Sequence, residues 1–238
     1  ADWGIDGLSR FMAQMGLGSR TGIDIEGEAT GVLPSPEWKK KRFKKPEQQK
    51  WYAGETISVG IGQGYNAYTM IQLAHATAIL AADGVVYRPH VVRQIENSRT
   101  GAIQLIEPEP IRRVDLRQAD IDVIKRAMED VNRFGTGSRA FAGAPYVAAG
   151  KTGTAQAFSL RGAQYRGGKL AEKLRDHALF IAYAPADDPK IALAVIVENA
   201  GFGAQSAAPI ARQVFDYYLL GNTPAGPAPE DADATDSE

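Results

Sequence analysis

The sequence contains no cysteine, which excludes disulfides and thiolate metal sites and leaves the redox compartment open. It has three histidines. His75, His90 and His177 each lack a second ligand three or four positions away, so core or surface roles are expected for them, with no metal and no cofactor. No apolar run approaches the roughly 20 residues that span a bilayer. No signal peptide or internal repeat is visible. The chain opens at Ala1-Asp2-Trp3-Gly4 without an initiator methionine, almost in mid-helix, and reads as a piece cut from a longer one.

What is present fits a soluble globular body. The 238 residues are 44% hydrophobic and 23% charged, enough for one sizeable core. A net charge of −1 hides an asymmetry. From Gly221 onward the chain carries Glu230, Asp231, Asp233, Asp236 and Glu238 with no basic residue, so residues 1–220 read as one mildly basic domain and 221–238 as a disordered acidic tail.

Apolar Ile5, Leu8, Met12 and Met15 recur at helical spacing until Gly16-Leu17-Gly18. After Pro34 and Pro36 comes Lys39-Lys40-Lys41-Arg42-Phe43-Lys44-Lys45, read as a solvated loop with an anion-binding patch as the alternative. No stacking aromatic series or nucleic-acid module accompanies it, so nucleic acid is not an expected partner. The glycine-rich Ile57 to Tyr65 stretch leads into a helical pattern from Thr69 to Ala82. Its G-x-G-x-G lacks the strand and acidic residue of a dinucleotide cradle, and close packing beside a site is the better reading. Val85 to Ile95 and Ala102 to Ile106 read as a surface hairpin. An amphipathic helix runs from an N-cap at Asp115 to Phe134.

A polar loop from Ser159 to Arg175 precedes two strands, one over Asp176 to Pro185 and one over Lys190 to Glu198, with the turn Asp187-Asp188-Pro189 between them. The apolar run Ile191 to Val197 has the pattern of a strand buried on both faces, which belongs in the middle of a sheet, yet the sequence offers no further apolar strand for its second side, so an open edge is expected there. A last helix covers about Ser206 to Leu220. Helices first and strands last give an α+β class, with an antiparallel sheet flanked by helices.

The chemistry gathers at Lys151-Thr152-Gly153-Thr154, where an ammonium, two hydroxyls and a bare backbone fall within four residues. On an exposed sheet edge, alternation puts Thr152 and Thr154 on one face and Lys151 on the other, its stem long enough to curl round the edge. Gly153 lets a substrate backbone come close. Such a strand pairs with an extended peptide while hydroxyls and ammonium hold a carboxylate, which suits a peptide with a free carboxyl terminus. A K-[ST]-G-[ST] string arises by chance in roughly one chain in a hundred of this length, so the four residues need support from the rest.

That support is a resemblance. Trp38-Lys39-Lys40-Lys41-Arg42-Phe43, Val59-Gly60-Ile61-Gly62-Gln63-Gly64-Tyr65, Lys151-Thr152-Gly153-Thr154-Ala155-Gln156 and Leu174-Arg175-Asp176-His177 together resemble the transpeptidase domain of penicillin-binding proteins, and within it the class B elongation enzymes. The likeness extends to about Leu220. Three motifs meet in that family's site: S-x-x-K with the nucleophilic serine, S-x-N, and K-[ST]-G. No serine here has lysine three positions on or asparagine two on, so the chain carries the third motif alone. The resemblance places Ala1 just after S-x-N, with the nucleophile upstream, a fold incomplete at its N-terminus, and a chain inactive by itself.

The resemblance implies a penicillin-binding-protein or serine β-lactamase-like fold, with K-[ST]-G on the edge of a five-stranded sheet. It implies acyl transfer from a peptidoglycan stem peptide through a serine acyl-enzyme, and inhibition by β-lactams. Lys151 would give electrostatic support and relay protons, Thr152 and Thr154 would bind the substrate carboxylate, Gly153 would admit the substrate, and the Thr154 N–H would be half of an oxyanion hole. A periplasmic location, an inner-membrane anchor and a SEDS-family glycan polymerase as partner are also implied. The alternatives are a D,D-carboxypeptidase or serine β-lactamase, which pass the acyl group to water, and a non-catalytic homologue that binds peptidoglycan or β-lactam.

Overall fold

The structure is a computed structural model and describes residues 3–156 and 175–223. The chain enters through α1 (Gly4–Gln14), which buries Ile5. The run expected as a solvated loop is instead the helix α2 (Pro36–Arg42), followed by α3 (Pro46–Gln49). Ser35 starts α2 by accepting the Trp38 N–H at 3.0 Å, and Pro36 fits the first turn because its missing N–H would have no partner there. The cations of the last turn then face the negative end of the helix dipole. Lys39 departs furthest from expectation, being buried.

The glycine-rich stretch forms α4 (Ala53–Gly60) and a turn. The expected long helix follows as α5 (Met70–Ala81), opened by a capping box in which Thr69 and Gln72 exchange side-chain and backbone hydrogen bonds. Gln72 is fully buried, and its amide also donates to Ser19 O at 2.6 Å and Thr30 O at 2.9 Å, tying α5 to the entry loop.

The surface hairpin is two nested antiparallel pairs. β1 (Val85–Tyr87) pairs with β4 (Pro110–Arg113), and inside them β2 (Gln94–Glu96) pairs with β3 (Ile103–Leu105). The single strand expected from Val85 to Ile95 is broken between β1 and β2, where Pro89 has no N–H to give a ladder. α6 (Gln118–Arg133) begins after Arg117, not at Asp115 as expected. The reason lies just upstream, where the Val114 N–H donates to Gly84 O at 2.8 Å and keeps the backbone extended in continuation of β4. A short α7 (Ser138–Phe141) follows.

The three expected strands form the main sheet. β5 (Ala149–Ala155), β6 (His177–Ala184) and β7 (Ile191–Val197) run antiparallel in that order, and α8 (Gly203–Leu220) closes the described fold. Ala178, Phe180, Ala182 and Ala184 of β6 meet Ala207, Ala208, Ala211 and Phe215 of α8 in one core. Tyr183 and Ala149 pack on the other face with Ala81 of α5 and Met128 of α6. Alanines on both partners let helix and sheet approach closely, a compact core with few large side chains. Helices on two faces of an antiparallel sheet make the α+β class expected.

The open second side expected for Ile191 to Val197 is seen: among the described residues β7 pairs only with β6, and Ile196 is 37% exposed. The middle strand of the three is β6. An unbroken apolar run reports that helices cover both faces of a strand; it says nothing about how many edges are paired.

Candidate active site

Strand alternation and the register with β6 settle where the motif points. Thr152 lies opposite Phe180, Thr154 opposite Ala178, and Lys151 opposite Ile181, so the two threonines share one face and Lys151 the other. The exposed Lys151 stem curls back round the strand, and its ammonium donates to Thr152 O at 2.8 Å. Thr154 O accepts from Gln63 Nε2 at 2.9 Å. Both carbonyls therefore face away from β6. In an antiparallel ladder a residue sends its N–H and C=O to the same side, so the Thr154 N–H also faces the outer edge.

The Thr152 hydroxyl lies 2.8 Å from the Thr136 hydroxyl, beyond the end of α6. Gly153 proves to be a close-packing position: a Cβ there would stand 3.2 Å from Leu179 Cβ. Gly203, at the start of α8, is pressed against the Gly153 and Leu179 peptides, and a Cβ on it would collide with the carbonyl oxygens of both.

Gln63 reaches the motif from a glycine-flanked turn. Gly62 and Gly64 flank it at φ 78° and 70°, a left-handed backbone that disfavours side chains. The Gln63 N–H donates to Ser58 O at 2.9 Å, and its carbonyl accepts from Asn66 Nδ2 at 3.0 Å. Tyr65, two positions on, sits among the rings of Trp38, Phe43 and Trp51 at centroid distances of 5.2, 6.0 and 6.3 Å. Its hydroxyl donates to Glu55 Oε1 at 3.0 Å.

Glu55 also takes the buried Lys39 ammonium as an ion-pair partner. That ammonium donates to Lys50 O at 2.8 Å and lies 5.2 Å from the Tyr52 and 5.6 Å from the Tyr65 ring centroids. Burial would push the Glu55 carboxyl up, but hydrogen bonds from Lys39, the Tyr52 N–H and Tyr65 outweigh it and hold the group below its ordinary range. Burial likewise would lower Lys39, and Glu55 outweighs it, so Lys39 is raised. Both members thus stay charged at neutral pH.

The structure brings Lys151, Thr152, Gly153 and Thr154 together on one edge and adds three residues that the sequence reading missed. In the sequence Gln63 reads as part of a glycine-rich packing segment, and Thr136 lies two residues beyond the end of the helix expected to finish at Phe134. Lys39 was hidden in its charge run, although the aromatic residues Trp38, Phe43, Trp51, Tyr52 and Tyr65 around it in the sequence were a signal of a caged cation. Of the Leu174-Arg175-Asp176-His177 stretch, Leu174 lies outside the described residues. Asp176 is buried, and His177 Nδ1 accepts the Asn199 N–H at 3.0 Å, so this His has a structural partner.

A wider groove of about 900 Å³ lies between α1 and the start of α6, lined by Trp3, Phe11, Leu80 and Ile121 among others. It contains none of the motif residues, and its charged lining includes the exposed Arg117–Asp120 ion pair, so the motif chemistry favours the β5 edge. Among the described residues no group of three or more His, Asp or Glu side chains is placed to hold a metal.

Comparison with known proteins bears on this edge. A family model described as penicillin binding protein transpeptidase domain matches residues 1–216. Over 222 residues the chain is 46% identical to peptidoglycan D,D-transpeptidase MrdA of Haemophilus influenzae, covering 91% of this chain and 33% of that protein. The chain thus spans about a third of the length of the curated relatives it matches. Among solved structures, Pseudomonas aeruginosa PBP2 in complex with WCK 5153 superposes with a TM-score of 0.72 at 41% identity, covering 91% of this chain and 43% of that one. The complex of Helicobacter pylori PBP2 with MreC gives a TM-score of 0.73 at 25% identity, covering 92% and 36%.

Proposed function

Because the chain belongs to the penicillin-binding protein transpeptidase domain family, we propose that it supplies the K-T-G side of a peptidoglycan D,D-transpeptidase site. In the whole protein a serine attacks the penultimate D-alanine carbonyl of a stem peptide and expels D-alanine. The acyl-enzyme then passes to an amine of a neighbouring stem, so that two accessible steps replace one difficult one.

The observation that carries this reading is the outer edge of β5. There the Thr154 N–H, the Thr152 hydroxyl and the Lys151 ammonium gather along one stretch of strand that has no strand partner among the described residues. An extended stem peptide adds to such an edge through main-chain hydrogen bonds. The threonine hydroxyls and Lys151 then hold its terminal carboxylate with charge-assisted bonds. The Thr154 N–H faces the place where a carbonyl oxygen gains charge during attack. Lys151 gives electrostatic support there and relays protons.

A D,D-carboxypeptidase or a β-lactamase would use the same edge and differ only in the acceptor. The 46% identity to a D,D-transpeptidase favours the amine acceptor over water. β-Lactams, which present a carboxylate beside a strained amide, fit the same donors. A periplasmic catalytic domain anchored in the inner membrane belongs to this reading, as do an MreC-type scaffold and a SEDS-family polymerase as partners. No helix among the described residues is long and apolar enough to cross a membrane.

The test is Lys151→Ala in the full-length protein. Acylation by a fluorescent penicillin should fall by a factor on the order of 10³, as when a preorganised electrostatic group is lost. Because Lys151 is exposed, stability should change by less than about 1 kcal/mol. Unchanged labelling would overturn the assignment of the site.

A further inference from the structure

The outer edge of β5 is held from across the site by one side chain, and its geometry points to a role. We propose that Gln63 is a positioning residue for acylation: its amide fixes the outward-facing peptide groups of Thr154, and so aims the Thr154 N–H at the developing oxyanion. This deepens the proposed transpeptidase reading and rests on it.

Four observations carry the inference. The first is the contact itself, Gln63 Nε2 to Thr154 O at 2.9 Å, between residues 91 positions apart. Only the amide nitrogen can donate to a carbonyl, so the contact fixes which way the Gln63 amide is turned. The second is that Thr154 belongs to an edge strand. Among the described residues no neighbouring strand holds its outer groups, and a free edge moves more than a paired one.

The third is the construction of the turn, with left-handed glycines on both sides of Gln63 and its own N–H and C=O each bonded. A Cβ on Gly64 would stand 3.2 Å from Ser58 Cβ, so the turn is packed as well as bent. The fourth is the cage behind the turn, where Tyr65 is locked by three aromatic rings and by Glu55, itself paired with the buried Lys39. The basic run is therefore partly a foundation, with Lys39 reaching the catalytic edge through Glu55, Tyr65 and Gln63.

A donor on so rigid a mount is suited to alignment. An oxyanion donor displaced by about 1 Å loses much of its effect, because transition-state stabilisation depends on geometry set before the reaction. A gate would behave differently. A gate that blocks the strand would have to swing clear, and neither the packed glycine turn nor the caged tyrosine offers a hinge. The Thr154 carbonyl keeps a second lone pair for an incoming peptide N–H, so Gln63 and substrate can share it.

The experiment uses the full-length protein and compares Gln63→Met, which keeps the length of the side chain and loses the donor, with Gln63→Ala and Lys151→Ala. Stopped-flow acylation by a fluorescent penicillin separates the pre-covalent dissociation constant from the acylation rate constant, and thermal unfolding gives stability. A positioning role predicts that Gln63→Met lowers the acylation rate constant by roughly ten- to a hundred-fold. The dissociation constant should stay within about two-fold and the melting temperature within about 2 °C, as for a half-buried polar substitution.

An unchanged rate constant with Lys151→Ala inactive would overturn the role of Gln63 and leave the site standing. Faster acylation would identify a gate and equally overturn it. A loss in Gln63→Met matched by an equal loss of folded protein would reduce Gln63 to a structural residue. If Gln63→Met does not fold, the same readouts on Tyr65→Phe, which removes only the hydroxyl bond to Glu55, decide the matter. A rate effect smaller than that of Lys151→Ala with intact folding supports the chain from cage to edge, and no rate effect refutes it. Full activity of Lys151→Ala would instead remove the transpeptidase reading on which the proposal stands.

Discussion

β5 and β7 lie on opposite sides of the same strand, and each has one edge without a strand partner among the described residues. β5 is written Ala-Gly-Lys-Thr-Gly-Thr-Ala, and β7 Ile-Ala-Leu-Ala-Val-Ile-Val. On β5 the outward carbonyls of Thr152 and Thr154 are already engaged by Lys151 and Gln63, and the Thr152 hydroxyl meets Thr136. Among the described residues no side chain bonds to the backbone of β7, and Ile196 is partly exposed. The contrast separates two uses of an open edge. An edge kept for a ligand carries donors and small residues and is braced by side chains. A hydrophobic edge with no bracing is a template for another strand.

The largest effect expected is on the β5 side. Gly203→Ala puts a methyl group against the Leu179 and Gly153 carbonyls and must push α8 or the sheet aside. Chemical unfolding of the variant should show a loss of about 3 kcal/mol, the upper part of the range for overpacking. A loss below about 1 kcal/mol would mean that the contact between α8 and the sheet is loose.

A smaller, pH-dependent effect tests the brace behind β5. Glu55 is held below its ordinary value of 4.5, so its contribution to stability is complete above that value and is lost as pH falls through the lowered one. Lys39 is raised above 10.5, so its share is complete below that value and is lost only as pH rises through the higher one. Unfolding free energies measured between about pH 3 and 7 should fall on the acid side less steeply in Glu55→Gln than in the native chain. Parallel curves would show that the cage does not couple to folding.

The smallest change in folding free energy is expected on β7. Ile196→Lys places a charge on the edge strand and should alter stability by no more than about 0.5 kcal/mol. It should nonetheless reduce self-association of the 238-residue chain, measured by sedimentation velocity, because a charge on an edge opposes strand addition. Native chain that sediments as a monomer at high concentration would show that β7 is protected without a partner strand.

The comparison also marks how far the sequence could be read. β5, β6 and β7 were legible because alternation and apolar runs are local signals and turn residues separate them. The facing of Thr152 and Thr154 followed from a period of two. The open edge of β7 was legible only by elimination, because the sequence holds no further apolar strand to pair with it; the apolar run itself, covered by α5 and α8, looks the same at an edge as at the centre. Asp115 made a plausible helix start, but the long-range bond from Val114 to Gly84 outbid it. Gln63 was out of reach for the same reason, since no local pattern reports a partner 91 residues away. Lys39 was misread because a run of cations has no phase until the helix is known, and only one of them then turns inward.

The contact of Gly203 with the Gly153 backbone sets limits on how this surface can change. With backbone against backbone, that contact has no side chain to trim and no slack to yield, so any side chain at position 203 must displace α8 from the sheet.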